Sequence, residues 1–448
     1  MSKEQLRLND FRSVGEEQLS DEIPVGYKKT DVGVLPFDWD TKRLGELFDI
    51  TSSKRVFQSE WKTQGIPFYR ARELAILAER GKVENQLFIS KEMYETYRRV
   101  NGVPKVGDVL ITGVGTLGKL FVVSDNHEFY FKDGNIIWLK SSGLVDSHFL
   151  KQLFKTKIIM RQIVDSSAGT TVGTYTIVGA KKTIVPFPPI SEQHAIAEVL
   201  TDVDNLIESL DNLISKKQAI KNATMQQLLT GRTRLPGFNG GWETRRLGEL
   251  VELISSGTYG VDSQGKTLIG MPVVTTSHID ADDSWNNKNM VTRYFTESQV
   301  AKYAPQEGDL IVVKSSGSAS SIQSGKIGFV DANRSGSFIF SNFLMLLRPT
   351  DCNALFLFFQ LTSSRVKRKL PELVEASTYP NIRLDDYLNI DIFLPSKEEQ
   401  QAISSILLDM DAEIEALERQ RDKMKQIKQG MMQQLLTGRI RLLDKEAV

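Results

Sequence analysis

Gly113, Gly115 and Gly118 stand at the G-x-G-x-x-G spacing of a dinucleotide-binding loop. Gly113 with Gly118-Lys119 also nearly completes the G-x4-G-K-[ST] pattern that cradles phosphates. Either chemistry needs a strand, the glycine loop and then a helix whose N-terminus faces the phosphate. In GDVLITGVGTLGKLFVV, Gly107 to Val123, the β-branched pair Val122-Val123 follows instead and reads as a second strand. Leu120 stands where Ser or Thr would hold the metal. The spacing therefore predicts a strand-loop-strand hairpin. Other reaction types lack their residues too. Cys352 is the only cysteine, which excludes an intrachain disulfide and a thiolate zinc site. His127, His148, His194 and His278 are scattered, without metalloprotease spacing. The one Pro-Pro pair, in FPPI at 187–190, lacks the Asn or Asp and the aromatic of an adenine-methylating NPPY motif. No PD-x-n-(D/E)-x-K nuclease constellation is present.

The elements that carry the hairpin are written twice. MQQLLTGRTRL from Met225 returns as MQQLLTGRIRL from Met432, an offset of 207 residues. The same offset aligns PPISEQHAIAEVLTDVD from Pro188 with PSKEEQQAISSILLDMD from Pro395. It also places Asn135 of GNIIWLK on Asn342 of SNFLMLLR. WDTKRLGEL from Trp39 matches WETRRLGEL from Trp242 at offset 203, and GDVLIT from Gly107 matches GDLIVV from Gly308 at 201. The slips mark insertions and deletions in loops. Each half is thus a variable region of short β-rich runs followed by a similar helical segment. Trp39 and Trp242 read as core anchors.

In the helical segments Ile196, Val203, Leu210 and Lys217 stand seven apart, as do Ile403, Met410, Leu417, Met424 and Met431. Further apolar residues fall between them, a heptad seam that predicts intramolecular pairing of two rods of roughly 60 Å. Pro188-Pro189 before Ser191 signals a helix start, and Gly231 and Gly438 signal stops. The rods would hold the variable regions a fixed distance apart. The chain of 448 residues balances 56 basic against 56 acidic side chains, so any nucleic-acid surface must be local. No run is apolar enough for a membrane span and the N-terminus is unlike a signal peptide, so a soluble cytoplasmic protein is expected.

Two unlike α/β regions, each followed by a similar long helix, resemble the specificity subunit of type I restriction-modification systems. The residues that carry the resemblance are PPISEQHAIAEVL and LPSKEEQQAISSIL, the two MQQLLTGR ends and the W-x-x-x-RLGEL openings. It covers about residues 25 to 442. The resemblance implies an α+β chain in which two target recognition domains are separated by helices pairing as an antiparallel coiled coil, with an internal pseudo-twofold repeat. The divisions are an extension at 1–30, recognition domains at 31–187 and 236–394, helical repeats at 188–235 and 395–442, and a tail at 443–448. It further implies that each domain reads one half of a bipartite, asymmetric duplex DNA site. The partners would be two methyltransferase subunits and restriction/motor subunits that act on foreign DNA. S-adenosylmethionine, ATP and Mg would sit on those partners and none on this chain, which is non-catalytic.

Groove reading needs donors and acceptors on well-held loops, with cations at phosphates. In the first region the candidates are Ser52, Ser53, Lys54 and Arg55, then Tyr69, Arg70 and Arg72, Lys119 after the glycine loop, and Thr170, Thr171 and Tyr175. In the second they are Ser255, Ser256, Thr258, Tyr259, Thr275, Thr276, Ser277, His278, Lys314, Ser316, Lys326, Ser377, Thr378, Tyr379 and Asn381. His278 reads more readily as structural, and Asn135 and Asn342 as turn formers. The run SSRVKRKL, with Arg365, Lys367, Arg368 and Lys369, is the densest basic cluster, either a phosphate contact or a solvated helix face. Leu228, Leu229, Leu435 and Leu436 are expected on outer helix faces, where methyltransferase subunits would dock. Two other functions stay open: a coiled-coil scaffold that never touches DNA, and a stand-alone DNA-modifying enzyme.

Overall fold

The computed structural model describes residues 23–443 apart from 82, 85, 133, 168–172, 263–264, 266, 319–320 and 376–379. The chain divides into two compact units, Met1–Asp211 with Arg419–Val448, and Asn212–Glu418. None of the described helices is long and apolar enough to cross a membrane.

In the first unit a four-stranded antiparallel sheet runs in the order Asp49–Thr51, Ile136–Lys140, Val109–Thr112, Leu120–Val122. VLIT at 109–112 is buried at every position, so both faces of this strand are covered. A smaller sheet orders Leu87–Ile89, Ile66–Tyr69 and Tyr130–Phe131, the last pair parallel. Asp40–Arg43 pairs with Ile184–Phe187 and joins the start of the region to its end.

The second unit repeats this plan strand for strand. Its large sheet runs Val251–Ile254, Leu344–Pro349, Leu310–Val313, Ile327–Phe329. Its smaller sheet orders Val291–Phe295, Ile269–Val274 and Ile339–Phe340, the last pair again parallel. Glu243–Arg246 closes on Asp391–Leu394. The glycine-loop segment is therefore the expected hairpin in both units, with Val109–Thr112 against Leu120–Val122 and Leu310–Val313 against Ile327–Phe329.

Sheet register corrects one equivalence. Ile136 faces Thr112, and Leu344 faces Val313, the counterpart of Thr112. Asn135 therefore corresponds to Phe343, and Asn342 to Gly134. The 207-residue offset fails here by one position, because the loop between Lys140 and the next helix cap, Asp146, is one residue longer than that between Arg348 and its cap, Asn353.

Two helices of 39 residues, Ile190–Leu228 and Lys397–Leu435, supply the rods. Both stop before a glycine with φ near +66°, Gly231 and Gly438, a backbone conformation that suits glycine. In the first unit Asp204 meets Lys428 at 2.5 Å and Asp211 meets Arg421 at 3.5 Å, which fixes an antiparallel pairing. In the second unit Lys221 pairs with Asp411 and Lys217 with Glu413, again antiparallel. Lys428–Asp204 and Lys221–Asp411 are the same bridge at the 207-residue offset. The seam is narrower than the heptads suggest. Ile196, Leu200, Leu210 and Ile214 are buried, whereas Leu206, Leu213 and Ile220 are exposed.

Burial opposes ionisation of Asp204, but bonds from Lys428, Gln152 and Lys155 outweigh it and hold the carboxyl at about 2. Burial pulls the Lys428 ammonium down to about 8 against the bond to Asp204, with Lys155 adding repulsion. The cluster is thus stabilised from the carboxylate side. An unfolded Asp titrates near ~3.9. The stabilisation is complete above that value and is lost as pH falls toward 2. Asp204→Asn is expected to flatten the acid limb of the first unit's stability profile in that window. Denaturant midpoints at successive pH values check this, and an unchanged slope would count against the cluster.

Candidate nucleic-acid interface

In the second unit, one edge of the large sheet gathers loops that are far apart in sequence. Ser256 Oγ donates to Asn342 O at 3.1 Å, and Lys314 Nζ to Ser255 O at 3.1 Å. Phe343 O accepts from both Lys314 N and Ser315 N, at 2.9 and 3.2 Å. Ser315 bridges to Asn381, and Ser324 Oγ donates to Pro380 O at 2.7 Å while accepting from Ser316 N at 3.1 Å. Lys326 Nζ donates to Thr276 O and Ile279 O at 3.2 and 2.5 Å. Ser256, Thr276, Lys314, Ser316, Lys326 and Asn381 thus belong to one hydrogen-bonded edge. Tyr259 is exposed nearby in sequence, with Arg293 stacked 4.8 Å from its ring centroid, and Thr258 N donates to Phe340 O.

The first unit builds the same edge, with Ser52-Ser53 at the positions of Ser255-Ser256 and other residues around them. Ser52 Oγ donates to Ile136 O at 2.9 Å, Ser53 Oγ to Phe131 O at 2.7 Å, and Lys54 N to Tyr130 Oη at 2.8 Å. These bonds fasten the loop across the strand ends and leave the Lys54 and Arg55 side chains exposed. Gly113 N donates to Asn135 O, and Gly113 O accepts from Tyr175 N, both at 2.9 Å. A Cβ at Gly113 would stand 2.6 Å from the Tyr175 carbonyl oxygen. The residue is glycine because the Tyr175 and Asn135 backbones close on it, and the resemblance to a phosphate loop comes from that packing. Gly113→Ala is expected to cost about 1–3 kcal/mol, read as a lowered midpoint in denaturant. An unchanged midpoint would remove the packing argument.

A second duplicated cluster ties each helix start to a domain. Arg441 makes paired bonds to Glu192 at 2.5 and 2.6 Å and to Asp38 at 2.9 Å, and stacks 5.7 Å from the Trp39 centroid. Trp39 Nε1 also donates to Glu192, at 3.0 Å. In the second unit Arg234 grips Glu399 with two bonds of 2.7 Å and stacks 5.7 Å from Trp242. The adjacent glutamines are alike too. Gln193 accepts from Asp146 N and donates to Pro188 O, and Gln400 accepts from Asn353 N and donates to Pro395 O.

Comparison with known proteins gives this duplicated framework a family. The model of the type I restriction modification DNA specificity domain matches twice, at residues 36–219 and 239–426. The chain belongs to that family. It is 27% identical over 436 residues to the type I restriction enzyme MjaVIII specificity subunit of Methanocaldococcus jannaschii, covering 91% of this chain and 94% of the relative. It is 23% identical over 436 residues to the MjaIX specificity subunit of the same organism, covering 93% and 96%. Among solved structures, the type I restriction-modification S subunit from M. genitalium shares the fold with TM-score 0.56 at 14% identity, covering 93% of this chain and 97% of that one. A chain from a study of complex assembly and conformational transition in a type I system aligns with TM-score 0.50 at 20% identity over 91% and 99%.

Within this specificity chain several sequence candidates lie elsewhere than expected. Tyr69 and Tyr175 are core residues, 4% and 1% exposed. Tyr175 Oη is bonded to Thr183 Oγ1 at 2.8 Å, and burial pushes its phenol up to about 12. His278 is 4% exposed and its Nδ1 accepts from Thr275 N, capping a short turn, while Ser277 beside it is exposed. Arg70 is held by Glu73 at 2.8 and 2.6 Å and stacks on Trp61, whereas Arg72 is exposed. Lys119 pairs with Glu79 at 2.5 Å, and Lys326 holds carbonyls of the Thr276–Ile279 turn. In the basic run Arg365 donates to Asp391 O and Lys367 pairs with Asp283, leaving Arg368 and Lys369 exposed. Thr170, Thr171, Ser377, Thr378 and Tyr379 lie outside the described residues.

Leu228, Leu229, Leu435 and Leu436 are not on outer faces. They are 6%, 1%, 0% and 2% exposed and belong to the domain cores. Each helix end sinks into a domain, so its apolar stripe is spent there. Sequence reading passed over the Arg234–Glu399 and Arg441–Glu192 latches. Their signal was present, since the arginines and the Glu-Gln pairs all recur at 207 residues.

Proposed function

We propose that each unit of this specificity chain reads one half of a bipartite, asymmetric duplex DNA site through the polar edge described above. The observation that supports this most is a common framework presenting different residues at the same strand ends. The Ser52-Ser53 pair recurs as Ser255-Ser256, but around it Lys54, Gly113 and Asn135 of one unit give way to Gly257, Lys314 and Phe343 of the other. A duplicated reader with unlike edges suits two unlike half-sites, and half-site spacing follows protein geometry. The paired helices, each roughly 60 Å long, set that spacing in this reading. The chain is a reader without a reaction of its own. Methyltransferase and restriction subunits dock on it and carry S-adenosylmethionine, ATP and Mg.

Salt dependence tests the DNA contact. The assembled complex should lose affinity linearly in log units as log salt rises. Lys54→Ala should weaken binding evenly across sequences and reduce the salt slope by about 1. Equal binding at all salt concentrations would refute the reading.

A further inference from the structure

Phe343 stands on the polar edge of the second unit and is 52% exposed. Single exposed apolar side chains are ordinary on protein surfaces, so exposure alone argues nothing. Its anchoring and position do. The Phe343 carbonyl takes two backbone bonds, from Lys314 N and Ser315 N, so the turn that carries the ring is fixed. The residue before it, Asn342, accepts from Ser256 Oγ, and Lys314 Nζ reaches Ser255 O. The turn that carries the ring is therefore held beside the Ser256 hydroxyl and the loop that takes the Lys314 ammonium. In the first unit the corresponding bond, from Gly113 N, goes to Asn135, so the ring belongs to one half of the reader only.

We propose that Phe343 is a specificity-determining residue that packs on the 5-methyl group of a thymine in the half-site read by the second unit. This rests on the DNA-reading function proposed above. Thymine alone among the four bases shows a methyl group in the major groove, and an apolar side chain there distinguishes it. Insertion of the ring between base pairs is the other use of an exposed phenylalanine, and it bends the duplex. A wedge needs a ring that stands clear of its neighbours. Phe343 has about half its surface covered and belongs to a doubly bonded turn, which suits contact with a group that projects into the groove.

The test starts from the motif recognised by the assembled complex, mapped as modified bases, with the second half-site assigned by exchanging residues 36–187. Each thymine of that half-site is then replaced singly by deoxyuridine, which removes only the methyl group. One replacement should weaken wild-type binding about fourfold, the worth of one buried methyl group. Phe343→Ala should bind both duplexes equally, at the level of wild type on the uracil duplex. Phe343→Leu should keep most of the discrimination, and unchanged thermal unfolding of both variants shows that the turn survives. A second half-site without thymine, neutrality of every replacement, or undiminished discrimination by Phe343→Ala overturns the proposal. Loss of any mapped motif would instead sink the DNA-reading function itself, and this contact with it.

Discussion

Arg441→Ala is expected to destabilise the first unit by about 3–5 kcal/mol, the cost of leaving a buried charge without its partner. Glu192 is 2% exposed in its side chain and Arg441 only 23%, so solvent cannot replace the lost guanidinium. The planar fork of arginine bonds Glu192 through Nε and Nη2 and Asp38 through Nη1 and Nη2, a geometry lysine does not reproduce. Arg441→Lys should therefore recover only part of the loss. Removing both buried-side charges, as Arg441→Met with Glu192→Met, should be milder than Arg441→Ala alone, since no buried carboxylate is left without its partner and Asp38 is 46% exposed in its side chain. Urea titration of the full chain, read by a probe in the first unit, measures all three. Equal midpoints for wild type and Arg441→Ala would show that the latch contributes nothing.

Leu435→Ala should cost about 2–5 kcal/mol, and Leu435→Glu should prevent the first unit from folding cooperatively. Leu435 is fully buried among residues that include Trp39, Ile196 and Leu436. Were it instead a docking residue on an exposed helix face, Leu435→Glu would leave stability unchanged and reduce only partner binding. Calorimetry of the variant without partners separates the two. An unshifted transition would restore the docking role.

Much of this architecture was legible because it is written twice. Repetition of WDTKRLGEL, GDVLIT and MQQLLTGR located the opening strand of each domain, the first strand of the hairpin and the ends of both long helices, but did not reach the strands of the smaller sheets. The hairpin was legible from the β-branched pair Val122-Val123, which reads as a strand after the glycines, while Leu120 in the Ser/Thr position argued against a phosphate loop. Failures came where tertiary contacts decide. Nothing local tells that Tyr69 and Tyr175 turn inward while Phe343 turns outward, or that the leucines ending each helix meet a domain core. Asn135 and Asn342 share a sequence position but not a sheet position, because one loop residue moved the register. Heptad spacing suggested a wide seam, yet the domains take up only the helix ends, and Leu206, Leu213 and Ile220 remain exposed. Candidate contacts read from residue type alone were least secure, since Arg70, Lys119 and Lys326 each find a partner within the chain.

The central claim is that two unlike units read two half-sites independently. It is tested most directly by mapping modified bases across a genome with the wild-type chain and with residues 36–187 exchanged for those of a relative. The account requires a bipartite motif in which one half changes, while the other half and the gap stay as they were. A motif that changes in both halves, or in neither, would contradict it.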